Sequence, residues 1–130
     1  MDDRQQAKQV VLDYFADLET AAPNDIAEVL VRHVTDDYRL RAVHPFNVIE
    51  SAADVADSVW APLATSFTSL QRRQDVFMAG PNLIAGDMWV TSMGTFLGLF
   101  DKPWLGIRPT RKIALLPYCE FHRIEDGRIT

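Results

Sequence analysis

Glu120 and His122 are the residues whose types and spacing could do acid–base chemistry, and they lie in the largely apolar segment 115–123. Side chains two apart along a strand share one face of a sheet. One face then carries Leu116, Tyr118, Glu120 and His122, and the other carries Leu115, Pro117, Cys119, Phe121 and Arg123. Both faces are substantially apolar, which predicts that both are covered and that Glu120 lies close to buried surface.

A glutamate at such a position has two interpretations. Desolvation would raise the pKa of Glu120 and make the carboxylate a competent general base near neutral pH. Alternatively, Glu120 pairs with an arginine or lies at the solvent-exposed rim, because most strand glutamates are structural or solvated. The residues alone leave both interpretations open.

Other candidate groups carry weaker signals. His44, in Val43-His44-Pro45-Phe46, could donate a hydrogen bond to a substrate carbonyl, although a loop-edge histidine is more often an ordinary hydrogen-bonding residue. The position of Cys119 among apolar neighbours predicts an inert core thiol. We expect most of six aromatic residues in the core and a subset in a pocket wall: Trp60, Trp89, Trp104, Phe67, Phe96 and Phe100.

The composition excludes several classes of function. The chain has 130 residues, the size of one domain, and its net charge of −5 argues against a nucleic-acid binder. We find no apolar segment long enough to span a bilayer, no signal peptide, and one cysteine, which together predict a cytoplasmic protein without a membrane partner. The sequence contains no P-loop, GxGxxG, HExxH or Cys/His cluster, so we expect no cofactor and no metal.

The elements that must position these groups begin with helices. Apolar residues at one-turn spacing predict a helix over 3–20, and Pro23 helps to end it. Asn24 is the expected cap of a second helix, and the alternation over 38–43 predicts a short strand. Ser51 and Asp54 form a capping box for a third helix, which we expect Pro62 to kink or end.

The second half of the chain has the pattern of strands. We expect three extended segments, over 70–79, 87–100 and 111–124. The Gly80-Pro81-Asn82 turn separates the first two, and a loop over 101–109 separates the last two. Asp126-Gly127 predicts a hairpin turn after the third. Gly94 and Gly98 suggest bulges. Helices followed by an antiparallel meander indicate the α+β class. Because the sequence stops soon after the hairpin turn, we expect it to be part of a longer protein.

The sequence resembles a known family over essentially the whole chain. The resemblance is carried by the Val43-His44-Pro45-Phe46 motif and by three longer segments: Gly94-Thr95-Phe96-Leu97-Gly98, Pro103-Trp104-Leu105-Gly106-Ile107-Arg108-Pro109-Thr110 and the run from Glu120 to Ile129. The chain resembles the SnoaL-like polyketide cyclases of the nuclear-transport-factor-2-like superfamily. The resemblance implies a cone-shaped, strongly curved, mostly antiparallel sheet wrapped by three N-terminal helices, with a deep apolar pocket. It also implies tandem pairing of two such domains.

The resemblance also implies that Glu120 is the general acid/base, although the best-known cyclases carry aspartate at that position. Many relatives carry histidine where this chain has Thr95 or Phe96, so in this chain that role is either vacant or taken by His44 or His122. The implied activity is a cofactor-free lyase or isomerase on an apolar carbonyl compound, with enolate stabilisation by His44, Tyr118 or His122. The expected pocket residues are Tyr118, Trp60, Trp89, Phe96, Trp104 and Leu116.

Two alternatives belong to other functional classes. The cone could merely bind an apolar ligand, which predicts a pocket without a poised carboxylate or with Glu120 locked in an ion pair. The open sheet face could instead serve an interaction, and a large exposed apolar patch would favour it. For partners we therefore expect an apolar small molecule, with a homodimer or an intramolecular tandem domain covering the sheet.

Overall fold

The first helix of the fold has the predicted bounds. A computed structural model describes residues 2–130, in which α1 spans Asp3–Thr20. The Asp2 carboxylate accepts a hydrogen bond from the Gln5 amide at 2.9 Å, which satisfies one of the free donors at the helix start. The buried face of α1 carries Ala7, Val11, Tyr14 and Phe15. This helix supplies one wall of the site described below.

The second helix, α2, spans Ile26–His33 and begins differently from the prediction. A 3-10 turn over Pro23–Asp25 precedes it, and no side chain caps the start of either segment. The expected capping by Asn24 is therefore wrong. The tight turn satisfies its own backbone, because the Asp25 amide donates to the Ala22 carbonyl at 2.8 Å.

The third helical segment continues through its proline. It consists of α3 over Ala52–Val55, a π-helical turn over Ala56–Trp60, and α4 over Ala61–Ser66. The Ser51 hydroxyl accepts from the Asp54 amide at 3.1 Å, as the capping motif predicts. Pro62 does not end the helix. Its ring crowds the carbonyls of the preceding turn and its nitrogen carries no N–H, and the wider π-helical turn before it accommodates both effects.

The strands form two antiparallel sheets. Strands β1 (Leu40–Arg41) and β2 (Val48–Ile49) make a small hairpin, so the strand expected over 38–43 shortens to two residues. The main sheet has the order β3-β4-β5-β6, with β3 over Phe67–Pro81, β4 over Met88–Phe100, β5 over Ile113–Glu125 and β6 over Arg128–Ile129. Three helical segments followed by an antiparallel meander confirm the α+β class.

The turns follow the predicted chemistry with one displacement. Gly80 and Pro81 belong to β3, so the expected turn lies two residues later, where the Asn82 side chain accepts from the Ile84 amide at 2.8 Å. The hairpin at Asp126 and Gly127 is confirmed, with φ angles of 51° and 77°.

The bulges of the sheet lie in β3, opposite the glycines rather than at them. The register of β3 against β4 shifts between Thr68 and Gln71 and between Gln74 and Val76. A Cβ atom added to Gly94 would lie 1.9 Å from the Arg73 carbonyl oxygen. Glycine is thus required in β4 because the bulged neighbour approaches so closely.

Only one face of the main sheet is covered by helices. We call the face that packs against α1 the inner face and the opposite one the outer face. Leu115 and Phe121 on the outer face are 61% and 64% exposed, and Cys119 beside them is exposed. The prediction that both faces of β5 are covered is therefore wrong, as is the core position of Cys119. Within the described residues, no helix is both long and apolar enough to cross a membrane.

Candidate functional site

A buried arginine lies at the centre of the inner face. Arg72 is on β3, paired in register with Phe96 on β4, and its side chain is 8% exposed. The guanidinium carbon lies 3.6 Å from the ring centroid of Phe15, 4.7 Å from that of Phe96, 4.8 Å from that of Tyr118 and 5.7 Å from that of Trp60. These four rings form an aromatic cage, and ring faces attract a cation electrostatically.

Glu120 holds the caged arginine by an ion pair. Its Oε1 accepts from Nη1 of Arg72 at 3.0 Å, and its Oε2 lies 2.9 Å from Nε2 of His122. Burial raises the pKa of this carboxyl, but the hydrogen bond with His122 and the charge of Arg72 outweigh burial and hold the pKa below its ordinary value. Of the two interpretations that the sequence leaves open, the raised pKa of Glu120 is therefore wrong, and pairing with an arginine is confirmed.

Several polar and aromatic groups pack around this ion pair and contact one another. The ring of His122 packs edge-on against Phe15, with centroids 5.6 Å apart. The buried Ser92 hydroxyl donates to Gln74 at 2.6 Å and lies 3.0 Å from the Tyr118 hydroxyl. Burial raises the pKa of Tyr38 to about 12, and the charge of Glu120 acts in the same direction, so this phenol stays protonated. Such a network holds its members in fixed positions.

A narrow pocket lies between the helices and the start of the sheet. Its enclosed part has a volume of about 50 Å³, and the space reaches about 400 Å³ only when the open solvent at its mouth is included. The exposed Glu19 is the one lining carboxylate, and Arg72 is the other lining charge. The full lining consists of Phe15, Leu18, Glu19, Ile26, Trp60, Ala64, Leu70, Arg72 and Phe96.

Arg72 has hydrogen-bonding capacity left over at this pocket. A guanidinium carries five N–H donors. Nη1 is bonded to Glu120, whereas the other nitrogens of Arg72 donate to none of the residues that the structure describes. Arg72 thus brings unused N–H donors to a pocket with a largely apolar wall.

The structure brings together only some of the predicted site residues. Trp60 and Phe96 line the pocket, and Glu120, His122 and Tyr118 surround the guanidinium from the β5 side. Neither Glu120 nor His122 lines the pocket, because both oxygens of Glu120 are bound within the ion-pair cluster.

Four predicted site residues lie elsewhere. His44 is exposed in the loop between β1 and β2. Trp89 is one residue from buried Val90 in β4, so strand alternation places it on the outer face. Trp104 and Leu116 pack against a second apolar cluster, which contains Leu63, Phe67 and Phe100. These placements correct the expected pocket.

Arg72 is the candidate site residue that the sequence interpretation missed. Adjacent Arg72 and Arg73 look like a solvated basic pair, and buried arginines are rare. The available signal was alternation, because Leu70, Arg72 and Gln74 share one face of the strand predicted over 70–79. Within residues 2–130, no group of three or more His, Cys, Asp or Glu side chains is placed to hold a metal ion.

Comparisons with known proteins show the fold. No family model and no curated protein matches the chain. A Jannaschia sp. CCS1 protein described as a SnoaL-like polyketide cyclase has a TM-score of 0.75 and 21% identity, over 99% of this chain and 83% of that one. An LEH-like epoxide hydrolase of M. tuberculosis has a TM-score of 0.65 and 16% identity, over 99% and 80%. An NTF2-like protein of Burkholderia thailandensis E264 has a TM-score of 0.64 and 17% identity, over 95% and 84%.

These neighbours establish that the chain has the α+β cone fold of SnoaL-like and NTF2-like proteins, as the sequence resemblance implied. Their names describe different activities on one fold, and a fold does not determine a reaction. The chemistry open to this chain therefore depends on the residues of its own pocket.

Proposed function

We propose that this chain is a small-molecule-binding domain whose pocket takes an apolar carbonyl compound, with the carbonyl oxygen accepting from Arg72. The unused guanidinium donors in an otherwise largely apolar pocket carry this proposal. The aromatic cage and Glu120 fix the guanidinium, so a ligand would find the donors already oriented. Hydrogen bonds to a charged donor are the stronger ones, especially where water is excluded.

A pair of nearly isosteric ligands tests the proposal. α-Methylstyrene has a C=CH₂ group where acetophenone has a C=O group, so only acetophenone can accept a hydrogen bond. A hydrogen bond from a charged donor corresponds to about 10- to 100-fold in affinity. We expect acetophenone to bind more tightly by that factor, with shifts of the Arg72 Nε–H and Trp60 indole resonances in NMR titrations. Equal affinity for the two ligands would refute the role of Arg72.

Two leucine substitutions on the third helical segment test whether the ligand occupies this pocket. Ala64 lines the pocket, so Ala64→Leu should fill it and abolish acetophenone binding. Ala53 is exposed on the same segment, so Ala53→Leu provides the matched control and should bind normally. If Ala64→Leu folds and binds acetophenone as well as the wild type, the ligand does not occupy this pocket.

Acid–base catalysis by Glu120 is a second candidate function. The contact between Glu120 and His122 favours it, because a carboxylate and an imidazole lie side by side as in many acid–base sites. The lowered pKa and the occupied oxygens of Glu120 count against it. Exchange of the acetophenone methyl protons for deuterium decides between the two: catalysis requires acceleration over buffer that Glu120→Gln abolishes, whereas a binding domain gives none.

The outer face supports a separate proposal, that two copies of this chain pair through it. Its exposed apolar residues form one surface across three strands: Val76, Met78, Met93, Ile113, Leu115 and Phe121. Strands of this length, about 3.3 Å per residue and 4.8 Å apart, give roughly 600 Å² per copy. Pairing two copies would bury about 1,200 Å², which reaches the size of a stable interface.

The charge pattern of the outer face permits a second copy. Arg123 lies 3.9 Å from Asp87 at one end, and Arg73 is exposed on β3 next to inward-facing Arg72. A surface with so few charges can pair with itself across a two-fold axis. Sedimentation equilibrium should give twice the mass of one chain, and Phe121→Asp should return the monomer. Ile84→Asp, in the exposed turn after β3, is the control and should stay dimeric. A monomeric wild type at about 100 μM would refute the proposal.

A further inference from the structure

We infer that Glu120 selects the charge of the ligand, so that the Arg72 site accepts a neutral carbonyl and rejects a carboxylate. This inference rests on the proposed binding function and adds a specificity-determining residue to it. Arg72 and Glu120 are 3.0 Å apart with side chains 8% and 18% exposed, so the site already contains a closed ion pair. Its formal charge is zero before any ligand arrives.

A carboxylate ligand on Arg72 would place a second negative charge next to Glu120. Both anions would share one guanidinium, and like charges repel strongly where solvent is largely excluded. A carbonyl oxygen uses the same donors without adding charge. The exposed Glu19 carboxylate at the pocket adds a further negative charge, which disfavours anions in the same direction.

The groups that face the guanidinium offer little compensation. Phe15, Trp60, Phe96 and Tyr118 present rings, whose faces attract cations and not anions. His122 is bound to the far oxygen of Glu120, at 2.9 Å. Desolvation of a carboxylate costs several kcal/mol and offsets its attraction to Arg72, so the repulsion from Glu120 decides the preference. At an effective dielectric constant of about 20, two like charges roughly 6 Å apart disfavour the anion by about 100-fold. Solvent screening at the open mouth lowers this factor, so we expect at least about tenfold.

The experiment compares acetophenone, benzamide and benzoate by NMR titration at pH 7. In the wild type, benzamide and acetophenone should each bind at least about tenfold more tightly than benzoate. Glu120→Gln keeps the shape of the side chain and removes its charge, so the ratio should shift at least about tenfold towards benzoate. Glu125→Gln makes the same change at an exposed position of the same strand, and the ratio should stay within about twofold.

The outcomes separate the two proposals. If none of the three ligands shifts the Arg72 or Trp60 resonances, the binding function itself is wrong. If acetophenone binds but the ratio in folded Glu120→Gln equals that of the wild type, binding stands and the role of Glu120 is refuted. The comparison of benzamide with benzoate in the wild type needs no variant, and a preference for benzoate there also overturns the inference.

Discussion

Replacing Arg72 by methionine should destabilise the protein through the glutamate that it leaves behind. Methionine is long, unbranched and apolar, so it can occupy the aromatic cage and retain favourable contacts with the rings. Methionine cannot replace the charged N–H donor from which Glu120 accepts a hydrogen bond at 3.0 Å. Glu120 would keep only His122 as a partner, in a side chain that is 18% exposed.

The magnitude follows from the buried ion pair. Removing one partner of such a pair costs about 3–5 kcal/mol, because the other charge remains desolvated. Because Glu120 is partly exposed and methionine retains the packing, we expect the cost of Arg72→Met to lie near the lower end of this range, at about 3 kcal/mol at pH 7. Removing both charges in Arg72→Met with Glu120→Met should recover at least about 2 kcal/mol of this loss, since apolar replacements of a buried pair are often neutral.

The destabilisation should depend on pH in a definite direction. In the wild type the pKa of Glu120 is lowered, so its stabilisation is present above the unfolded value of about 4.3 and is lost as pH falls through the folded value. In Arg72→Met the charge of Arg72 no longer lowers this pKa, so the pKa of Glu120 rises relative to the wild type and protonation relieves the penalty as pH falls. The difference between the two proteins should therefore be largest near pH 7 and shrink towards pH 4.

Urea unfolding at several pH values measures this difference directly. Free energies of unfolding should be taken at pH 7, 5.5 and 4 for the wild type, Arg72→Met and the double variant. A cost below about 1 kcal/mol at pH 7 would contradict the ion-pair argument. So would a cost of similar size at pH 7 and pH 4, because that result would assign the loss to packing rather than to charge.

Two further predictions concern the elements that hold the site. Gly94→Ala should cost about 1–3 kcal/mol in urea unfolding, because the new Cβ meets the Arg73 carbonyl oxygen at 1.9 Å, whereas Gly80→Ala, with open space around its Cβ, should be nearly neutral. Ser51→Ala should cost about 1 kcal/mol, because the Asp54 amide loses its capping acceptor, and Ser51→Asp should restore most of that stability.

Elements with strong periodicity could be predicted from the sequence, whereas local compensations could not. Helix α1 and the three long strands follow directly from apolar spacing, and the hairpin at Asp126 and Gly127 follows from turn chemistry. The sequence predicts that Pro62 kinks or ends the third helix, because a π turn that accommodates the ring leaves no trace in the composition. Asn24 was interpreted as a cap, although the 3-10 turn satisfies its own amides.

The candidate site was predictable on β5 and not on β3. Alternation correctly placed Tyr118, Glu120 and His122 on one face, and it allowed Glu120 to pair with an arginine. It could not identify Arg72 as that partner, because the pairing register between β3 and β5 is set across β4 and depends on two bulges in β3. Long-range register is information that local patterns do not contain.

The ion pair on the inner face is itself an argument for binding rather than for stability. A buried arginine–glutamate pair gains little over apolar residues of similar volume, so packing requirements alone do not explain Arg72 and Glu120 among four aromatic rings. A binding role does explain them, because an apolar core cannot present donors to a ligand. The double variant separates the two explanations: we expect it to fold with near wild-type stability and to lose the preference for acetophenone over α-methylstyrene. If that preference survives without Arg72, the oxygen of the ligand lies against other donors and the pair is structural after all.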